Sequence, residues 1–260
     1  MAAPTDRRMP LREHLQELKL CLIRCTLVIV ALFVVGVIFE KPLLDFIWIP
    51  WNQARQMCVD AGAQDPGRLT YLGPAEGMMQ ALKVSFFYAV VVGAPFLLWE
   101  LWHFIGVGLK DSERRAILKA FAPGVLLLIA GMAFGYIYLL PTGLFYLLTY
   151  LDPKLAVSSV TLPLYLDFVT TLTMVMGFVF ETPLVMWAVV RAGLIRVATL
   201  RKSRRVAVIA ILVFAAAATP GSDLVSMFLV AGPMLALFEI GLILGQGAEK
   251  ARARAGGARL

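Results

Sequence analysis

Residues Leu20 to Phe39 read LCLIRCTLVIVALFVVGVIF, a twenty-residue run with a single charge, Arg24, near its start. As a helix this run rises about 30 Å, the thickness of a bilayer's hydrocarbon core. It therefore reads as a membrane span, with Arg24 close enough to one end to snorkel back to the interface. The rest of the chain agrees. Of 260 residues, 60% are hydrophobic and 16% charged, with a mean hydropathy of +0.81, whereas a soluble domain has roughly a quarter of its residues charged. The residues ahead of the run contain no apolar core of signal-peptide type. No small-residue cleavage site precedes the charges at Glu40 and Lys41, so the run is expected to stay in the protein.

Five more apolar runs follow, at about 80–98, 119–140, 164–190, 206–219 and 224–244. The predicted fold is an all-α integral membrane protein with six transmembrane helices. Pro95 is expected to kink the second run, and Gly131 and Gly135, four apart, to admit a close helix neighbour in the third. The fifth run is short for a full crossing and joins the sixth through Pro220-Gly221-Ser222-Asp223 as a tight helical hairpin, with Asp223 as the sixth helix's cap. Residues 1–19 read as a cytoplasmic amphipathic helix, 20–245 as the transmembrane domain and 246–260 as a basic tail.

Threading the chain this way sorts its charges. Arg7, Arg8, Arg12, Lys19 and Arg24 share one side with Lys110, Arg114, Arg115 and Lys119. The same side takes the six basic residues between Arg191 and Arg205 and the tail's Lys250, Arg252, Arg254 and Arg259. Of the 24 Lys and Arg, only Lys41, Arg55, Arg68, Lys83 and Lys154 are left for the other side. The positive-inside rule then places both termini in the cytoplasm. Orientation and anionic lipid account for the basic loops, so no nucleic-acid partner is expected. The long outward loop, Glu40 to Met79, carries Pro50, and its Trp48 and Trp51 read as an interfacial belt. Cys21 and Cys25, four apart, read as small buried hydrophobes.

Several chemistries are missing. The chain has no Gly-x-x-x-x-Gly-Lys-[Ser/Thr] loop, no Gly-x-Ser-x-Gly elbow and no ligand spacing around its two histidines, His14 and His103. No enzyme activity, metal or cofactor is expected. The informative residues are acids. Glu13 and Glu17 lie one turn apart on a stretch where Leu11, Leu15, Leu18 and Leu22 recur at helical spacing, an amphipathic helix running into the first span. Glu113, in Lys110-Asp-Ser-Glu-Arg-Arg115, sits where a helix start ordinarily carries an acid. Solvation and helix dipoles account for Glu13 and Glu17 about as well as a site does, and ordinary helix-start chemistry accounts for Glu113 taken alone. The functional reading is two carboxylates on one membrane face receiving a dicationic ligand, best a guanidinium, whose fork binds carboxylate bidentately.

Glu181 lies inside the fourth run, in Gly177-Phe-Val-Phe-Glu-Thr-Pro183, where a charge costs roughly 2.5 to 3.5 kcal/mol on insertion scales. It is expected to face the bundle or water. Pro183 withdraws an N–H at the same depth, freeing the Val179 carbonyl and bending the helix. Glu239 reads as structural. A proton-coupled small-molecule transporter with Glu181 as relay acid is the rival reading.

In order and spacing these residues resemble the TatC family, the receptor component of the twin-arginine protein translocase. His14-Leu15-Gln16-Glu17-Leu18 is similar to its signature ahead of the first span. Lys83-Val84-Ser85, Pro95 and Trp102-His103-Phe104 resemble its second span and exit, and Glu113-Arg114-Arg115 its first cytoplasmic loop. Phe180-Glu181-Thr182-Pro183, Thr219-Pro220, Asp223, Pro233-Met234 and Phe238-Glu239-Ile240-Gly241 complete the pattern. The resemblance implies a cup-shaped six-helix receptor in the cytoplasmic (inner) membrane that binds Arg-Arg signal peptides of folded export substrates. Glu17 and Glu113 would form its signal-peptide site, flanked by Phe104 and Lys19, with Glu181 and Pro183 on the concave intramembrane face. It also implies small single-span partners, TatA and TatB, further copies of the receptor itself, and proton-motive force as the energy source. Three positions depart from the family pattern. Lys19 stands where Arg is common, which weakens a bidentate contact; Val107 replaces a usual Pro; and the 220–223 turn is slightly longer.

Overall fold

The computed structural model describes residues 11–107, 120–150, 160–218 and 224–257. Glu113, Asp223 and the 220–223 turn, three of the features singled out above, lie outside the described residues. Helices dominate what is described, as a chain in lipid requires, because each helix satisfies its own backbone. The helices are α1 (Leu11–Ile38), α2 (Glu40–Ile47), α3 (Ile49–Asp60), α4 (Pro74–Val107), α5 (Phe121–Phe134) and α6 (Leu140–Thr149). They continue as α7 (Leu162–Phe180), α8 (Thr182–Arg191), α9 (Val197–Lys202), α10 (Arg204–Ala218) and α11 (Leu224–Gly257). A π-helical turn, Gly135–Leu139, joins α5 to α6. One isolated parallel bridge ties Thr70 to Thr161.

Among the described residues, five stretches are long and apolar enough to cross a membrane: His14–Ile38, Ala75–Phe104, Phe121–Thr149, Leu162–Arg191 and Met227–Arg252. The protein is thus a multi-pass membrane protein. The remaining apolar run forms α10, whose 15 residues rise only about 22 Å. It stops short of the hydrocarbon thickness, as its length in the sequence implies. Helix α1 runs unbroken from the amphipathic stretch into the first span. Helix α4 extends well beyond the apolar run at both ends, and Pro95 and Pro233 lie inside continuous helices.

Helix α7 is the hub. Over its span 56% of residues are buried inside the protein, against 6% for α1, so α1 stands at the edge of the bundle. Around α7 the core gathers Tyr165, Leu166, Leu172 and Met176 with Leu139 and Leu140 of the third span, Ile47, Val84 and Val230. Glycines let the helices approach. A Cβ placed on Gly131 would lie 2.4 Å from the Met176 carbonyl oxygen and 2.7 Å from Phe180 Cβ, so α5 and α7 touch backbone to backbone there. The expectation for Gly131 and Gly135 holds.

The outward loop differs from its reading. It contains α2 and α3, because Ile47, Trp51, Ala54 and Cys58, spaced four, three and four, make one buried stripe. Pro42 and Pro50 each lie in the first turn of a helix, where the missing N–H leaves no bond of that same helix unmade. Trp51 is not part of an interfacial belt: it is 4% exposed and meets the Tyr165 ring edge-on, while Trp48 stacks on the same ring. Cys21 and Cys25 are only half-buried, and Cys58 is the buried thiol.

Pro50 has a defined place at the α2–α3 elbow. A proline there cannot donate to the Phe46 carbonyl four residues back; that carbonyl accepts instead from the Ile49 backbone N–H and from the Tyr136 hydroxyl, carried on the π-helical turn. The Tyr165 hydroxyl donates to the next carbonyl, that of Ile47, at 2.5 Å. Two tyrosines from the third and fourth spans thereby complete a helix that proline interrupts.

Candidate functional site

Helices α1 and α4 run antiparallel. Gly36 faces Ser85 at one end, and at the other His14 stacks on Phe104, with ring centroids 4.4 Å apart and planes 18° off parallel. Glu17 is one turn beyond His14 on the same helix and is half-buried, whereas Lys19 is exposed. The fold therefore brings the Glu17 turn and Phe104 together, although 87 positions separate them in the chain. From Phe104 the chain leads directly into the 108–119 segment that carries Glu113.

Deeper along the same contact is an acid that the sequence reading passed over. Glu100 is 4% exposed, and its Oε1 accepts from Arg24 Nη1 at 3.1 Å. Arg24 Nε also approaches the Leu20 carbonyl at 3.4 Å. Arg24 thus does more than reach for the interface: it neutralises a buried carboxylate on the neighbouring helix. The signal was present in Trp99-Glu100-Leu101-Trp102, an acid between tryptophans, but the apolar run was closed at Leu98.

Glu181 occupies the break between α7 and α8. Its N–H bonds the Phe178 carbonyl at 3.1 Å, three residues back, and α8 restarts with Pro183 buried in its first turn. This is the bend that proline implies. The side chain is buried, with the residue 6% exposed, and neither carboxylate oxygen has a hydrogen-bond partner among the described residues. Gly124 makes room for it: a Cβ there would stand 3.4 Å from Glu181 Oε2, between Leu98 and Leu184. The Trp102 indole N–H, in the apolar cluster those leucines share, is also without a partner among the described residues. The expectation that Glu181 faces the bundle is met. Glu239 pairs with Arg204 at 2.5 Å on a half-exposed surface, consistent with a structural role.

Among the described residues the arrangement offers buried and half-buried carboxylates suited to cations. A family model described as Sec-independent protein translocase protein (TatC) matches residues 13–233. The protein of that description from Frankia casuarinae is 34% identical over 257 residues, covering 96% of this chain and 69% of its own length. Its counterpart from Carboxydothermus hydrogenoformans is 26% identical over 239 residues, covering 92% and 93%. The crystal structure of a twin arginine translocase receptor, TatC, superposes with a TM-score of 0.78 at 27% identity. That match covers 90% of this chain and 99% of the other.

Proposed function

Because this chain belongs to the TatC family of Sec-independent protein translocase components, we propose that it is the receptor and core subunit that reads Arg-Arg signal peptides at the cytoplasmic face of the inner membrane. In this reading Glu17 and Glu113 each accept one guanidinium fork. Phe104 and the Lys19 turn shape the entrance between them. The apolar segment that follows the arginines then lies along the concave surface near Glu181 and Pro183. Both termini are cytoplasmic, and α10 and α11 form the short hairpin of a six-helix cup. Partners are TatA- and TatB-type single-span proteins and further copies of this chain, driven by proton-motive force.

One observation carries the reading. The His14 to Phe104 stack holds the Glu17 turn beside the exit of α4, which leads within ten residues to Glu113. That leaves the half-buried Glu17 one turn from the aromatic contact, and a second carboxylate, Glu113, nine residues beyond Phe104 in the chain. The test is binding of a labelled Arg-Arg signal peptide to the protein in nanodiscs, against a Lys-Lys peptide, for wild type, Glu17→Ala and Glu113→Ala. Loss of one carboxylate from a charge-assisted pair costs about 1.5 to 3 kcal/mol, tenfold or more in affinity. Equal affinity for the two peptides, or no effect of either substitution, refutes the site.

A further inference from the structure

Helix α1 leans on little besides α4. Leu20, Leu22, Ile23, Leu27, Val30 and Val34 are all exposed, so in a bilayer they face lipid. Lipid tails are as apolar as leucine and give two helices no hydrophobic reason to choose one register over another. Register then depends on close backbone contact and on polar pairs. At one end Gly36 fits against the Ser85 backbone, where a Cβ would come within 3.0 Å of the carbonyl oxygen. Toward the other end the polar link between α1 and α4 among the described residues is Arg24 with Glu100.

Its placement is telling. Arg24 is seven residues, two turns, beyond Glu17, and so lies on the same helix face about 10 Å further in. Glu100 is one turn before Phe104 on α4 and shares its face. The ion pair therefore runs alongside the contact that brings the Glu17 turn to Phe104, one step deeper. The guanidinium forks between its own helix, at the Leu20 carbonyl, and the carboxylate of α4, which sets its direction as a single ammonium would not. Glu100 is held among apolar neighbours and Arg24 is its ion-pair partner.

We propose that Arg24 and Glu100 are positioning residues for arginine recognition: their pair sets the register of α1 on α4 and so holds the Glu17 carboxylate in place beside Phe104 before a signal peptide arrives. This rests on the reading of Glu17 and Phe104 as part of the signal-peptide site. Neither member of the pair touches the peptide. The pair's effect is to keep the fork geometry that separates a guanidinium from an ammonium.

The test uses the full chain in nanodiscs and the apolar double variant Arg24→Leu/Glu100→Leu, which removes the link without leaving a buried charge alone. Thermal melting reports folding, and titration with labelled Arg-Arg and Lys-Lys signal peptides reports recognition. The double variant is expected to melt close to wild type and to bind the Arg-Arg peptide about tenfold more weakly, as for one charged hydrogen bond lost. Its affinity for the Lys-Lys peptide is expected to stay unchanged, so that the Arg-over-Lys preference falls by the same factor. An equal drop for both peptides points to a merely structural pair and overturns the proposal, as does a double variant with wild-type preference. A wild type with no Arg-over-Lys preference sinks the site itself, and the proposal with it. The single variant Arg24→Leu, which leaves Glu100 buried and alone, is expected to melt lower than the double.

Discussion

The elbow between α2 and α3 makes a sharp double-mutant prediction. Trp48 stays in right-handed helical conformation there, at φ −75° and ψ −17°. The bonds from Trp48 N–H to the Leu44 carbonyl and from Asn52 N–H to the Trp48 carbonyl are intact at 3.1 Å. The Phe46 carbonyl takes the Ile49 N–H and the Tyr136 hydroxyl, and the Ile47 carbonyl takes the Tyr165 hydroxyl. An alanine at position 50 restores the N–H that the helix lacks and directs it at Phe46. Tyr136→Phe should therefore cost about 0.5 to 1.5 kcal/mol in the wild-type background, the net worth of one hydrogen bond, and close to nothing with Pro50→Ala. Tyr165→Phe strips a buried carbonyl and should cost about 1 to 3 kcal/mol in either background, because residue 50 cannot reach Ile47. The assay is amide hydrogen exchange over residues 48–54 in detergent, where 1.4 kcal/mol is about tenfold in the opening equilibrium, with thermal melting alongside. If Pro50→Ala leaves the Tyr136→Phe cost unchanged, or relieves Tyr165→Phe equally, the account of Pro50 is wrong.

Two further outcomes follow from the same geometry. Gly131→Ala places a methyl against the Met176 carbonyl and Phe180, which backbone cannot vacate; it should destabilise by about 1 to 3 kcal/mol, read as a lower melting temperature, whereas Gly77→Ala, with open space around it, serves as the neutral control. Beyond α3, Asp65 takes both forks of Arg55 at 2.5 Å and the Gly67 N–H at 2.9 Å, and these hold its carboxyl down at about 2 from an ordinary 3.8. A depressed carboxyl stabilises above its unfolded value and stops doing so as pH falls through its folded one. Protection in residues 61–69, taken relative to the intrinsic exchange rate at each pH, should therefore fall between pH 4 and 2, and Asp65→Asn should already have lost it at neutral pH and show no further loss across that window.

Much of this protein was legible locally. The spans could be read because crossing a bilayer demands about twenty apolar residues in a row, a property of composition that no partner alters. The brevity of α10 and the bend at Glu181 were readable for the same reason: length and a proline beside a buried acid act within one helix. Helices α2 and α3 were missed although the stripe of Ile47, Trp51, Ala54 and Cys58 was there. Two prolines masked it, and what buries the stripe is contributed by distant spans, Tyr165 among them. Glu100 escaped because an acid at the end of an apolar run looks like the water boundary until its partner, 76 positions away, is in view.

By itself, then, the sequence determined which segments enter lipid, which side the charges favour and which acids stand out. Tertiary structure alone decided which helices are neighbours, and hence that the Glu17 turn meets Phe104, that Arg24 meets Glu100 and that Tyr136 completes the bond Pro50 lacks. The physical reason is the solvent. Lipid rewards every apolar helix face alike, so partners are chosen by close glycine contacts and by single polar pairs, and those exist only once two helices have met.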